Sequence, residues 1–406
     1  MTKGLLLALA LLCAVALPTR GEEAGVPPET LTVERVIALA RTRAPEVRLA
    51  QNRVLEARGR LAGARALHTE NPTLEAVAAT SSRVDRRTQW VLAVPFELGL
   101  QRSYRVGTAR AELRRDEYLA VEARRLTLGR VLAAYYLLVH AERRLELARE
   151  RRTVAARLLQ VATERHRSGD VARLDVRVAE TELARAGSEV SSQEHNVARS
   201  RLDLALQLGL PSPNRVVVRG DLADHSAFAD TAADGGARPD VQAASQELAA
   251  ARSQLGLARS AYLPQLAFRL DYGHENGQSV TRPGVGVTVP LFNAGQGERG
   301  AARARVDRAR IELERQQTTS QAEREGTSAA YAASLEAVRE LEERGLPPAI
   351  ETASLADESY RAGKIDLAVF LVVRRDVLDA QREFANRQLD AALAGIEHAV
   401  ASGRLR

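Results

Sequence analysis

The sequence is poor in the residues that stabilise or punctuate small compact domains. Of its 406 residues, one is cysteine, one is tryptophan and 4% are aromatic. The single cysteine, Cys13, excludes an intramolecular disulfide and a cysteine-rich zinc site. The 14 prolines cluster between long proline-free segments. Abundant alanine and arginine in those segments favour long helices over a β-sandwich or a doubly wound sheet.

Charge of a single sign is also lacking. The 58 basic and 52 acidic side chains, with a formal net charge of +6, alternate along the predicted helices. Mixed charge of this kind is typical of solvated helix faces. Because no one-signed patch with interleaved aromatic residues occurs, the sequence indicates no nucleic-acid partner.

Residue patterns that carry catalysis are missing as well. The seven histidines have neither an i, i+4 pair nor an HExxH motif, and no nucleophile elbow or phosphate-binding loop occurs. We therefore expect no catalytic residues, no metal site, no cofactor and no enzymatic activity. His166, beside a predicted turn, is interpreted as a solvated residue at a helix end.

Residues 1–21 predict a signal peptide. Lys3 supplies the positive end, residues 5–16 form an apolar run, and small residues follow. That run is too short for a permanent transmembrane helix. Cleavage near Ala16 or Gly21 would remove Cys13, and lipidation of Cys13 is disfavoured because Leu12 precedes it.

The remaining chain contains an internal duplication with an offset of 194 residues. Residues 43–65 align without gaps to residues 237–259, with 8 identities in 23 positions. Both copies carry apolar residues at alternating spacings of three and four, which is the pattern of a coiled-coil seam. The seam residues are Val47, Ala50, Val54, Ala57, Leu61 and Ala64, and their counterparts Val241, Ala244, Leu248, Ala251, Leu255 and Ala258. The duplication predicts two equivalent wall segments of one structure.

Each copy predicts a helix, a β-hairpin, a long helix, a tight turn and a returning helix. The first repeat spans residues 31–210, a linker with one small strand at 216–218 covers 211–236, and the second repeat spans 237–402. The first long helix is expected at about 104–167 and returns over 172–208. The second is expected at about 298–361, with a perturbation at 345–348, and returns to about 401. The second hairpin is expected to have a loop over 273–284.

The four predicted strands require partners. Four strands cannot close a barrel, and open strand edges are not tolerated in lipid, so membrane strands would be pooled by several chains. Aromatic residues gather at the strands and strand ends, as in a membrane-interface belt; the alternative is that they cap a small soluble sheet. These residues are Trp90, Phe96, Tyr104, Tyr262, Phe268, Tyr272 and Phe292.

Three segments carry a resemblance to a known family. VTVPLFNAGQGERGAARARVDRAR at 287–310 resembles the strand-to-helix junction of TolC-family outer-membrane efflux proteins. HTENPTLEAVA at 68–78 and VPFELGLQRSYRVGTARAEL at 94–113 resemble the CzcC-like branch, which serves heavy-metal efflux.

The resemblance implies a mainly α-helical homotrimer with a twelve-stranded β-barrel in the outer membrane and a helical barrel extending into the periplasm. Its implied function is the passive exit duct of a tripartite efflux system for heavy-metal cations. Its implied partners are a periplasmic adaptor, an inner-membrane RND-type pump and outer-membrane lipid.

The turns at 165–176 and 360–373 resemble the periplasmic hairpin tips of that family, where the adaptor docks. The resemblance implies docking by Gly169, Val171, Leu174, Asp175, Gly363 and Ile365. The chain departs from the family pattern six and nine residues after Gly363, where Val369 and Val372 replace acidic gate residues. We therefore expect an apolar constriction that closes by packing and dewetting.

A second hypothesis is a periplasmic adaptor or coiled-coil scaffold without a membrane barrel. An adaptor should have one helical hairpin flanked by β-rich modules. Two hairpins and two strand pairs of membrane-spanning length favour the channel instead.

Overall fold

The computed structural model describes residues 29–67, 70–80, 86–97, 99–213, 216–229, 237–275 and 278–405. The predicted signal peptide, including Cys13, lies outside the described residues, as do His68 and residues 230–236 of the predicted linker.

The first repeat has the predicted order of helices and strands, preceded by one short strand, β1, that was not predicted. Its elements are β1 (Glu29–Leu31), α1 (Val33–Arg43), α2 (Pro45–Ala64), β2 (Thr73–Thr80), β3 (Arg86–Phe96), α3 (Gln101–Arg167) and α4 (Arg173–Leu208). The Thr32 hydroxyl caps α1 by accepting a hydrogen bond from the Arg35 amide at 3.4 Å. Helix α3 has 67 residues, so it is about 100 Å long at about 1.5 Å per residue.

The connecting segment contains β4 (Val216–Val218) and the single turn α5 (Ser226–Ala229). The second repeat then has a helix, a hairpin and a long helical hairpin like the first. Its elements are α6 (Pro239–Arg259), β5 (Gln265–Glu275), β6 (Gln278–Thr288), α7 (Gln296–Glu340), α8 (Leu346–Arg361) and α9 (Leu367–Ala401). A π-helical turn over Leu341–Gly345 separates α7 from α8. Pro347 has no N–H to donate and its ring crowds the preceding turn, which is a physical reason for the wider turn at the predicted perturbation.

The two hairpins form one four-stranded antiparallel sheet in the order β2-β3-β5-β6. They meet through β3 and β5, with Trp90 opposite Tyr272. The predicted loop over 273–284 is wrong, because β5 continues to Glu275 and β6 begins at Gln278. Strand pairing uses backbone groups only, so the ladder continues through polar side chains and glycine that lack the apolar alternation used for the prediction.

The main hydrophobic core surrounds the middle of α3. Tyr135 and Tyr136 are fully buried there, and the core includes residues of α1, α4, β4 and α9. Part of the predicted linker packs against it, since β4 pairs in parallel with β1 and Phe228 is only 3% exposed. The Tyr135 hydroxyl donates a hydrogen bond to the Arg219 carbonyl at 3.0 Å.

The seam predicted on α2 is buried from Val47 to Leu61. The seam predicted on α6 is buried only in part: Val241, Leu248 and Ala251 are buried, whereas Ala244, Leu255 and Ala258 are half-buried. Both helices pack along the first half of α3. No helix among the described residues is both long and apolar enough to cross a membrane.

Candidate functional site

The two hairpin tips have the same turn geometry. Gly169 and Gly363 have φ values of +84° and +69°, a region that favours glycine. After α3, the Asp170 amide donates to the Arg165 carbonyl at 2.8 Å, and after α8 the Lys364 amide donates to the Ser359 carbonyl at 2.8 Å. Both helices therefore end in a Schellman motif.

The copies diverge directly after these glycines. Asp366 caps α9, its carboxylate accepting a hydrogen bond from the Val369 amide at 2.8 Å. Ala172 occupies the equivalent position before α4 and has no side-chain capping bond. The returning helix of the second tip therefore has a side-chain cap that the returning helix of the first tip lacks.

The residues predicted to dock an adaptor lie together around the two turns. Leu174 is 69% exposed, which is high for a leucine. Val171 and Asp175 are half-buried beside it, and both glycines are exposed. Ile365 is half-buried and packs against the hydrophobic cluster between the tips.

A contact between the two tips was missed by sequence reasoning. Tyr360 of α8 stacks on Phe370 of α9 with ring centroids 4.8 Å apart. The Arg165 guanidinium carbon, at the end of α3, lies 5.7 Å from the centroid of the Tyr360 ring. One feature of the sequence could have indicated this contact: two aromatic residues lie beside the turn in a chain that has few aromatic residues. Burial raises the pKa of Tyr360, and the charge of Arg165 opposes that shift.

The predicted gate residues lie on the face of α9 that points away from the hydrophobic cluster between the tips. Val369 and Val372 are 49% and 60% exposed, whereas Leu367 and Phe370 of the same helix are buried. With 3.6 residues per turn, these two pairs occupy opposite faces. The two valines are therefore available to other chains rather than to the core of their own chain.

An ion-pair network joins the two helical hairpins between their tips and the main hydrophobic core. The Arg151 guanidinium of α3 contacts the carboxylates of Glu182 at 2.5 Å and Glu189 at 2.8 Å, both on α4. Arg382 of α9 pairs with the same Glu189. Glu189 therefore links three helices from both repeats, and sequence patterns alone did not reveal it.

The sheet has two chemically different faces. Residues opposite one another in register share a face, so Trp90, Tyr272, Val94 and Phe268 lie on the same side. Trp90, Phe96, Phe268 and Tyr272 are between 39% and 46% exposed. The four predicted strand aromatics are therefore together on one exposed apolar face.

Two of the remaining aromatic residues lie at the ends of the strands nearest the helices. Tyr262 precedes β5 and Phe292 follows β6, and they are 59% and 94% exposed. Tyr104 does not belong with them: it lies within α3 and is half-buried. A Cβ added at Gly256 of α6 would lie 2.4 Å from its ring, so Tyr104 fills a contact between helices.

No group of metal-ligating side chains that could hold an ion occurs within the described residues. His166 is exposed, and its Nδ1 lies 3.0 Å from the Val171 carbonyl oxygen. This bond helps to close the first turn.

Comparisons with known proteins agree with this architecture. Residues 236–402 match the model of the family described as outer membrane efflux protein. The cobalt-zinc-cadmium resistance protein CzcC of Cupriavidus metallidurans is 24% identical over 87% of this chain and 83% of its own length. The solvent efflux pump outer membrane protein SrpC of Pseudomonas putida is 26% identical over 76% of this chain and 69% of its own length.

Solved structures share the fold. The outer membrane protein VceC of Vibrio cholerae superposes with a TM-score of 0.74 at 19% identity, covering 91% of this chain and 96% of VceC. CusC gives a TM-score of 0.76 at 16% identity, covering 91% of this chain and 92% of its own.

The fold of this chain is thus the fold of the outer membrane protein VceC and of CusC. Over residues 236–402, which include the second repeat, the chain resembles the outer membrane efflux protein family. The shared fold does not support the hypothesis of a periplasmic adaptor or scaffold.

Proposed function

We propose that three copies of this chain form the exit duct of a tripartite efflux system and passively conduct heavy-metal cations delivered by an inner-membrane RND-type pump through a periplasmic adaptor. Each chain would contribute four strands to a twelve-stranded barrel and two helical hairpins to a periplasmic helical barrel.

One observation carries the assembly. The described four-stranded sheet has an exposed apolar face with aromatic residues, and its outer strands β2 and β6 each pair on one side only. Unpaired strand edges are costly in lipid, where no water replaces the lost hydrogen bonds. Pairing β6 of one chain with β2 of the next satisfies both edges and closes the sheet.

The exposed positions of the tips support adaptor docking. Leu174 offers an apolar side chain beside the backbone-defined turn at Gly169, while Ile365 and Gly363 form the corresponding part of the second tip. An adaptor would contact these residues and the neighbouring Val171 and Asp175. The two turns have the same backbone geometry, so one docking element fits both.

The valines of α9 are proposed as the gate. In a trimer, three copies of Val369 and Val372 projecting from α9 would narrow the periplasmic mouth. An apolar constriction of this kind closes by excluding water and opens when the helices separate.

The proposed cargo rests on the alignment with CzcC. That alignment extends over 87% of this chain and 83% of CzcC, more of both chains than the alignment with the solvent pump protein SrpC. An organic cargo of the kind named for SrpC is the second candidate, because the two relatives have comparable identities.

Two experiments test the proposal. Fractionation and detergent extraction of the full chain should give an outer-membrane trimer, and a soluble periplasmic monomer would contradict the assembly. Deletion of the gene should lower growth on zinc, cobalt, nickel or copper. Unchanged metal tolerance together with new sensitivity to dyes or solvents would contradict the metal cargo and favour the organic one.

A further inference from the structure

The helices next to the sheet follow the same order as its strands. The strands lie in the order β2-β3-β5-β6, and the helices attached to them contact one another in the order α2, α3, α6 and α7. In this row, α3 and α6 each have a neighbour on both sides. The two end helices, α2 and the first half of α7, have a neighbour in the row on one side only.

The duplication relates the two end helices to the two central ones. Helix α6 is the copy of α2, and α7 is the copy of α3, because each follows the hairpin of its own repeat. The contact of α3 with α6 is therefore a contact between the end of one repeat and the start of the next. In a closed ring of chains, α7 of one chain and α2 of the next have the same relation.

The contact between α3 and α6 is close and includes an ion pair. A Cβ added at Gly107 of α3 would lie 3.2 Å from the Ser253 hydroxyl oxygen of α6. The Arg115 Nη1 donates a hydrogen bond to the Glu247 carboxylate at 2.6 Å. In the alignment of the two copies, Ser253 occupies the position of Gly59 in α2. The face of α2 equivalent to this contact is thus the one that carries Gly59.

That face of α2 is exposed. Leu49, Glu56 and Gly59 lie on the side of α2 opposite the seam that packs on α3. Leu49 is 59% exposed, and the exposed Glu56 carboxylate makes no ion pair or hydrogen bond with any described residue. The equivalent positions in α6, Ala243 and Ala250, are only 3% and 2% exposed. The face is therefore covered where the chain itself supplies a neighbour.

The first half of α7 has a matching exposed face. Val306 and Ala309 pack against α6. Ala304, Arg308 and Ile311 lie on the opposite side of the helix and are exposed. Ile311 is 65% exposed, and Arg308 has no ion pair among the described residues. Each of the two faces therefore offers a small residue, a large aliphatic residue and an unpaired charge, and the two charges have opposite signs.

We propose that these two faces bind one another between adjacent copies of the chain, as α3 and α6 bind within it. Helix α2 runs toward the sheet and α7 runs away from it, so the small residue, the charge and the aliphatic residue follow in the same order from the sheet outwards on both. The pairs are Gly59 with Ala304, Glu56 with Arg308 and Leu49 with Ile311. The small residues allow close approach, and the aliphatic pair removes apolar surface from water.

The strand edges support this occupant. Since α2 precedes β2 and α7 follows β6, pairing of β6 with β2 of the next chain brings α7 beside α2 of that chain. The helical contact continues the strand contact below the sheet. This inference rests on the proposed trimeric channel and specifies the helical surface that joins its chains.

Cysteine crosslinking of the full chain in detergent tests the contact. Gly59→Cys and Ala304→Cys are combined in one chain, whose only natural cysteine is Cys13 in the predicted signal peptide. A short bifunctional thiol reagent should link neighbouring chains and give a covalent trimer on denaturing gels. Each single variant should give little crosslinked product. The same holds for Gly59→Cys combined with Arg303→Cys, because position 303 lies about 100° around α7 from position 304.

Charge reversal tests the ion pair with a readout that a general loss of structure does not produce. Glu56→Arg places two guanidinium groups opposite each other, so the trimer should dissociate in sodium dodecyl sulfate at a lower temperature than the unsubstituted protein. Arg308→Glu alone should lower that temperature similarly. The double variant restores opposite charges and should recover much of the loss. Glu56→Arg combined with Arg303→Glu is the matched control and should show no recovery.

The outcomes separate this inference from the proposed function. A stable trimer in which positions 59 and 304 do not crosslink, and in which the double charge reversal shows no recovery, overturns the inference and leaves the proposed channel intact. A chain that stays monomeric in detergent overturns the proposed assembly as well, because no second copy then covers either face.

Discussion

Arg165 and Tyr360 connect the two helical hairpins at their tips. The guanidinium carbon of Arg165 lies 5.7 Å from the centroid of the Tyr360 ring, and Tyr360 itself is only 6% exposed. Arg165 lies near the end of α3 in the first repeat, and Tyr360 lies near the end of α8 in the second repeat. The contact therefore holds the two hairpin tips together. The tips must separate if the periplasmic mouth of the proposed channel widens by movement of one hairpin.

Arg165→Ala should therefore favour an open mouth. A cation–π contact is worth about 0.5–2 kcal/mol, so its loss should increase the open population about twofold or more. Single-channel recordings of the reconstituted protein should show longer or more frequent open events. Arg167→Ala is the control, because Arg167 is exposed at the same helix end. Equal effects of the two changes would contradict the prediction that the contact between Arg165 and Tyr360 holds the mouth closed.

Val369→Asp should convert the proposed apolar constriction into a charged one. Three carboxylates at a narrow mouth would attract cations and hold it wet, so conductance should rise and multivalent cations should block the channel. Ala368→Asp places the same charge about 100° around the helix and should have a smaller effect. Unchanged conductance and the absence of block in Val369→Asp would contradict the gate.

Gly129→Ala should destabilise the protein at the contact between α3 and α9. A Cβ at Gly129 would lie 2.5 Å from Val400 Cγ2, and overpacking of this kind typically costs about 1–3 kcal/mol. Gly187→Ala is the matched control on α4, where an added Cβ meets nothing within 4 Å. It should be stabilising by about 0.5–1 kcal/mol through helix propensity. Thermal melts followed by circular dichroism should shift in opposite directions.

The repeated elements were predictable because they depend on local periodicity. The seam from Val47 to Leu61 and the uninterrupted pattern before Arg167 both report a helical face, and the turn glycines mark where each helix ends. The alternation through Trp90 and Val94 likewise predicted a strand with one apolar face, since side chains in a strand point to opposite sides in turn.

Contacts between distant segments were not predictable in the same way. The pairing of β3 with β5 depends on how two hairpins about 180 residues apart meet, and no local pattern specifies that register. Helix packing also determines the contact between Arg165 and Tyr360. It likewise places Glu189 between Arg151 and Arg382. The end of β5 was misplaced because backbone pairing continues through residues that carry no apolar signal.

Two half-buried histidines predict a pH dependence of stability. His140 faces Asn386 at 3.0 Å, and His225 faces the Tyr331 hydroxyl at 3.1 Å. Burial lowers the pKa of His140, with Arg144 adding to that shift while the bond to Asn386 and the charge of Asp390 oppose it. Burial likewise lowers the pKa of His225. Both side chains are therefore neutral in the folded protein at pH values where the unfolded chain already binds a proton.

Stability should consequently be fully present above the ordinary histidine pKa of about 6.5 and should be lost as pH falls from there through the lowered folded values. Melting temperatures of the reconstituted protein at pH 7.5 and 5.5 measure this difference. His140→Gln can retain a hydrogen bond to Asn386 but cannot be protonated, so it should make the difference smaller. His195→Gln, on the exposed side of α4, should leave it unchanged. If His140→Gln melts with the same pH dependence as the unsubstituted protein, the acid sensitivity does not come from the His140 imidazole.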